Sequence, residues 1–211
     1  MLYRYMYAAF PKNPEKEELV FTNDPAADAV SASFFGKTVF LYYETETEQL
    51  PPERVVNADL IAFPDGKLWS KMADVFHYSV PTSKEQWARK VSEKQPWVRI
   101  NRLNPDKISE YLYYHFQYQE ERPGGGPDRY GSIFLFENYI VHYLEWPFER
   151  EEHPAKGSLS TNLTPADNDD VWQALMKTFF LPWEDTPYPW HSMVTKTPDG
   201  RRICLPEDHG S

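Results

Sequence analysis

Residues 2–10 alternate, with Leu2, Arg4, Met6 and Ala8 on one side and Tyr3, Tyr5, Tyr7 and Ala9 on the other. This is the period-two pattern of a strand, and the apolar groups on both sides predict a central one. After the polar stretch PKNPEKEE comes DPAADAVSASFFG, where Asp24 followed by Pro25 predicts the start of a short helix. Residues 37–44 and 55–63 predict further strands, the second closed by Pro64, Asp65 and Gly66 as a turn. Residues 68–80 fit a helix or a strand equally well.

In the second half, Ser83 is a helix N-cap by residue type, and Trp87 and Val91 stand four apart, which predicts a helix over 83–94. Residues 97–103 alternate as a strand. The strongest helix signal follows: Asn104 as cap, Pro105 at the first position, Asp106 in the first turn, then Ile108, Tyr111, Leu112 and His115 on one face as far as Glu121. The run PGGGP ends it. Two apolar runs within 130–145 meet at Glu137 and Asn138 and predict a β-hairpin, because Asn tolerates positive φ. Residues 147–163 are long, polar and charged, and predict a mobile surface loop. Thr164, Pro165 and Asp167 open a last helix carrying Val171, Trp172, Leu175 and Phe179, which stops before Pro182. A C-terminal hairpin is expected over 191–205, around the turn TPDG.

These elements imply an α+β fold: a mixed or largely antiparallel sheet with three or four helices packed mainly on one face. No repeat of 20 to 50 residues and no heptad register are visible, which argues against solenoids, propellers and coiled coils. A single globular domain over 1–211 is expected. Hydrophobic residues are 41% of the chain and aromatics 16%, enough for a large core without a metal or disulfide to staple it.

Composition narrows the function classes. The lone Cys204 cannot form an intrachain disulfide, which points to a reducing, cytoplasmic compartment. Arg4 interrupts the first apolar stretch, so no signal peptide is expected, and no run reaches the ~20 apolar residues of a membrane span. A formal charge of −10 disfavours nucleic acid and anionic membranes as partners. Between Lys84 and Lys107, however, seven bases face three acids.

No recognisable catalytic motif is present. The six histidines form no H-x-H, H-x-x-H or H-E-x-x-H pair, so no metal is expected. No G-x-S-x-G elbow occurs, and the cluster Gly124, Gly125, Gly126 lacks a following G-K-[ST], so no nucleotide cofactor is implied. Alternation sets Trp97, Arg99 and Asn101 on one side of their strand, where an indole, a guanidinium and an amide suit a sugar, a nucleotide or a carboxylate. His115 on its helix and His142 on the hairpin are candidates for acid–base work, although their apolar neighbours also suit satisfied core histidines.

Two functions compete. In the first, the chain is a non-enzymatic protein-binding module of inhibitor, immunity or adaptor type, engaging a basic protein through Glu44, Glu46, Glu48, Glu149, Glu151 and Glu152. In the second, it binds or transforms a small molecule or carbohydrate in an aromatic-lined pocket that includes Trp97, Arg99, Asn101, His115 and His142. The Pro- and Trp-rich segment 182–191 suits either a binding surface or a tail over the core.

Overall fold

The computed structural model describes residues 1–121, 126–151, 169–186 and 188–206. The strands are β1 (Tyr3–Pro11), β2 (Val20–Phe21), β3 (Asp28–Phe35), β4 (Thr38–Thr45), β5 (Val56–Asn57), β6 (Leu60–Ile61), β7 (Ser70–Lys71) and β8 (Ala73–His77). They continue as β9 (Gln95–Arg102), β10 (Ser132–Phe136), β11 (Tyr139–Trp146), β12 (His191–Ser192), β13 (Val194–Lys196) and β14 (Arg202–Ile203). The helices are α1 (Ile108–Glu121) and α2 (Asp169–Lys177). One antiparallel sheet runs β14-β13-β3-β4-β1-β6, with β7 also on β1; a second runs β12-β9-β11-β10-β8; β2 and β5 form a small ribbon.

The two sheets are built to one plan. In the first, Ser31 pairs with Tyr42 and Phe35 with Thr38 across the turn residue Gly36, whose φ is +55°. In the second, Ser132 pairs with Tyr143 and Phe136 with Tyr139 across Glu137, whose φ is +54°. The flanking strands match too, Met6 opposing Tyr42 as Val98 opposes Tyr143. Each of these strands leads into a short 3-10 turn, Pro14–Lys16 after Asn13 and Pro105–Lys107 after Asn104. Each half also exports a strand. β8 follows the first half but pairs with β10 of the second sheet, and β13 follows the second half but pairs with β3 of the first.

The two halves thus share one strand plan, and the expectation of no repeat of 20 to 50 residues is untouched by it. Asn13 and Asn104 stand 91 residues apart and Tyr42 and Tyr143 stand 101 apart, well outside a 20 to 50 residue period, and few identities survive between the halves.

The sheets pack face to face, as in a sandwich. Met6, Ala8, Phe40 and Tyr42 of the first meet Val98, Ile100, Phe134, Val141 and Tyr143 of the second. The outer face of the first sheet, with Tyr5, Leu41 and Tyr43, is covered by Leu50, Val55, Val56, Leu60 and Trp69. Tyr111 of α1, together with Met176 and Phe179 from α2 and the turn after it, covers Ile133 and Ile140 on the outer face of the second.

The expected α+β class, with three or four helices on one face of a sheet, is overturned: strands dominate, and α1 and α2 are the two α-helices among the described residues. Two predicted helices failed for identifiable reasons. At Asp24 the carboxylate accepts the N–H of Ala26 at 2.9 Å, an Asx turn, and the chain then pairs with β4 from Asp28 onward. At Ser83 the hydroxyl does accept the N–H of Gln86, at 3.2 Å, and one helical turn forms with Trp87 N–H on the Ser83 carbonyl. The helix then stops because Trp87 is drawn into the interior, and the N–H groups of Lys90 and Val91 are taken by the Glu149 carboxylate at 3.0 and 3.1 Å.

Residues 68–80 resolve into β7 and β8, and 55–63 into the short β5 and β6 on different sheets. The hairpin over 130–145 and the helix ending at Glu121 form as expected, with the Asn104 side chain accepting the Asp106 N–H, although Glu137 rather than Asn138 takes the positive φ. In the C-terminal hairpin, β13 pairs with β14, while β12 belongs to the other sheet. Most of the expected 147–163 loop, the first residues of the last helix and Gly124 and Gly125 lie outside the described residues.

The inter-sheet core gives a direct test. Phe40→Ala should lower unfolding free energy by about 3–5 kcal/mol in a urea titration. Phe116→Ala, at an exposed position of α1, should change it by less than about 1 kcal/mol.

Candidate functional site

The two matching hairpins place Tyr42 and Glu44 of β4 opposite Tyr143 and Glu145 of β11 at one end of the sandwich. The Tyr42 and Tyr143 rings stack at 3.6 Å, and each phenol donates to the glutamate two residues on, both at 2.9 Å. Burial raises both phenol pKa values well above the ordinary tyrosine range, and the neighbouring carboxylates add to it, so both remain donors.

Glu44 and Glu145 share one cation. Arg89 donates Nη1 to Glu44 Oε2 at 2.6 Å and Nη2 to Glu44 Oε1 at 2.8 Å. It also donates Nε to Glu145 Oε2 at 3.0 Å and Nη2 to Glu145 Oε1. Burial pulls this guanidinium's pKa down, but the bonds to both carboxylates outweigh it and hold the group charged. The Trp87 indole N–H gives Glu44 a further donor at 2.9 Å, and the Tyr130 ring lies 4.3 Å from the guanidinium carbon. Glu44 is 1% exposed.

A second tier supports this platform. Asp128 accepts the backbone N–H groups of Glu145 and Glu149 at 2.8 and 3.0 Å, fixing the chain on both sides of Pro147. Lys94 donates to the Pro147 carbonyl at 2.6 Å and lies 3.5 Å from Asp128 and 3.6 Å from Glu149. Burial pushes the Asp128 carboxyl up to about 6, against the pull of those backbone donors.

Above the platform opens a cleft of about 820 Å³, within the size of small-molecule sites. Its floor includes Glu44, Arg89, Tyr143 and Glu145, and its walls come from the bulged start of β3, the 84–96 segment and the turn after β13. At the bulge Ala29 has φ +50°, a left-handed conformation that costs an alanine of order 1–2 kcal/mol. Bulges of this kind re-aim side chains next to sites.

The residues expected to line a pocket lie elsewhere, on the helix side of the second sheet. Arg99 packs 4.5 Å from the Trp97 ring and 5.2 Å from Trp190, and donates to His142 Nδ1 at 2.9 Å. Trp97 is buried, with its indole N–H on Ser192 Oγ at 2.9 Å. Asn101 is buried and accepts the Arg102 N–H at 2.7 Å. His115 donates Nδ1–H to the Tyr111 carbonyl at 2.9 Å and is packed by Tyr111, Trp172 and Phe76. The structure thus joins Trp97, Arg99 and His142, but Trp97 and Asn101 are interior rather than on an accessible face. Burial lowers the pKa of His115 to about 4, and burial with the Arg99 charge lowers that of His142, so both are neutral at pH 7.

Of the acidic residues, Glu44 and Glu149 are buried, Glu151 is half-buried, Glu46 and Glu48 are exposed, and Glu152 lies outside the described residues. Among the described residues no group of three or more His, Cys, Asp or Glu side chains is placed to hold a metal ion, and no helix is long and apolar enough to cross a membrane. The residues of this candidate site that sequence reasoning missed are Tyr42, Arg89, Tyr143 and Glu145. One signal was available: a Tyr-x-Glu triplet whose glutamate stands eight residues after the turn residue in both hairpins, Gly36 to Glu44 and Glu137 to Glu145. Comparison with protein-family models, curated proteins and solved structures finds no match to this chain.

Two outcomes test this electrostatic picture. Arg89→Met leaves two buried carboxylates without their cation and should cost about 3–5 kcal/mol in denaturant unfolding, with much of the loss recovered when Glu44→Gln and Glu145→Gln are added. For His115, the unfolded chain takes up a proton below pH ~6.5 while the folded chain resists until about 4. Its stability contribution is therefore full above pH ~6.5 and lost as pH falls toward 4. His115→Gln should flatten the fall in unfolding free energy over that window by up to about 3 kcal/mol.

Proposed function

We propose that this chain is a small-molecule-binding domain whose ligand enters the cleft at the end of the sandwich and takes its polar contacts from the Glu44–Arg89–Glu145 platform. The observation that carries this is the convergence of the platform and an 820 Å³ cleft on one place. An apolar concavity with a few fixed polar groups is the usual form of a ligand site. Buried charges held by many donors also keep fixed positions, so the contacts are organised before a ligand arrives.

This favours the small-molecule alternative but moves it from Trp97 and His142 to the opposite face of the second sheet. A protein-binding role through acidic side chains retains Glu46 and Glu48 as exposed carboxylates, whereas Glu44 and Glu149 serve interior bonds. A cytoplasmic setting accords with the lone Cys204.

A fragment screen of neutral, cationic and anionic polar compounds, followed by NMR, tests the proposal. Hits should shift the Trp87 indole N–H signal, because Trp87 borders the cleft and its indole N–H bonds to Glu44 of the platform. They should lose their effect when Ala27, on the cleft wall, is replaced by Trp. Hits that leave Trp87 unmoved, or that persist in the Ala27→Trp variant, would overturn it.

A further inference from the structure

The two-fold plan of the sheets gives residues in the inter-sheet space counterparts, and one matched pair of serines differs in what reaches its hydroxyls. In the second sheet Ser132 is fully buried, and its hydroxyl accepts from Arg4 Nη1 at 2.8 Å. Arg4 is itself buried, reaching from β1 across the space, with Asp74 at 3.9 Å and the Trp87 ring at 5.4 Å. The counterpart of Ser132 is Ser31, since these residues pair with Tyr143 and Tyr42 in the matching hairpins. The counterpart of Arg4 is Pro96, because Arg4 pairs with Glu44 on β4 as Pro96 pairs with Glu145 on β11. Proline cannot reach a serine across the space. Ser31 Oγ is accordingly buried without a hydrogen-bond partner, at 2% residue exposure, and both Ser31 and Pro96 line the cleft.

We infer that the cleft takes a ligand with a guanidinium or comparable ammonium group, which sits beside Ser31 and Glu145 in the place that Arg4 fills beside Ser132 and Glu44. This rests on the small-molecule function above and names its ligand class. Three observations converge on it. A buried hydroxyl left unpaired costs about 1–3 kcal/mol, which a donor from the ligand would recover. The floor carries two carboxylates on one shared arginine, and Glu145 has no counterpart of the Arg4 that stands beside Glu44. The cations that line the cleft already have anionic partners: Lys84 is on Asp28, Arg89 on the glutamate pair, Lys94 on Asp128 and Glu149, and Arg201 on Asp199. None of them is left over for an anion.

The test compares n-butylguanidinium with n-butylurea, which has the same shape and no charge, by calorimetry and by the Trp87 indole N–H signal of the full chain. The guanidinium should bind at least tenfold more tightly. Ser31→Ala should weaken it by about tenfold, the size expected for one hydrogen bond to a charged group. Pro96→Arg, which restores the missing arginine, should abolish binding, with folding checked by circular dichroism. Should that variant not fold, Ser31→Ala alone decides.

Equal binding of the two probes at Trp87 would overturn the ligand class and leave the cleft function standing. Guanidinium binding unchanged by Ser31→Ala would also overturn it. If neither probe moves Trp87, the ligand class again falls, and the fragment screen judges the cleft function separately.

Discussion

One arginine holding two glutamates from opposite sheets organises much of this molecule. Glu44 and Glu145 are both interior, and two carboxylates packed together without Arg89 would be driven to take up protons or to separate. Arg89 therefore constrains three chain segments at once. It pins the end of β4 to the end of β11 and anchors the irregular 83–94 segment between them. The requirement for buried polar groups to be bonded explains the donors around the two glutamates, two tyrosines and one indole, and the Asp128 carboxylate that accepts the Glu145 backbone N–H.

The opposite face of the second sheet uses its polar residues differently. Arg99, His142 and the flanking indoles form a packed layer, where the guanidinium lies against the Trp97 and Trp190 rings and donates to the neutral His142 imidazole. With a depressed pKa and the Arg99 donor on Nδ1, His142 is suited to accepting a hydrogen bond from a cation rather than to exchanging protons near neutrality. The two polar clusters of the second sheet thus serve separate ends, one bordering an open cleft and the other joining β9, β11 and the segment that carries Trp190.

What was legible in the sequence was local. Asn104, Pro105 and Asp106 define a helix start through their own backbone chemistry, and they do so in the fold. The hairpin around Glu137 follows from two apolar runs that need only each other. The helix expected over 83–94 had a genuine N-cap in Ser83, yet Glu149, some sixty residues away, takes the N–H groups that would have continued it. Glu44, Glu46 and Glu48 look alike in sequence, but β4 ends at Thr45, so Glu44 keeps the inward direction of its strand while the other two stand in a turn. The site depends on pairings between residues roughly fifty to a hundred positions apart, which alternation and capping signals do not encode.

The exchange of β8 and β13 carries a consequence for how the chain came to hold together. Each half ends in a strand that completes the other's sheet, so neither half has a closed sheet of its own. Made as separate polypeptides, each would present an unpaired edge shaped for the very strand its partner carries. Covalent linkage turns that mutual embrace from a meeting of two molecules into a closure within one, at an effective concentration set by the linker rather than by the cell. The inequality between Ser31 and Ser132 is then a freedom that linkage confers: two copies of one chain must be alike, whereas two halves of one chain can keep an arginine on one side and leave room on the other.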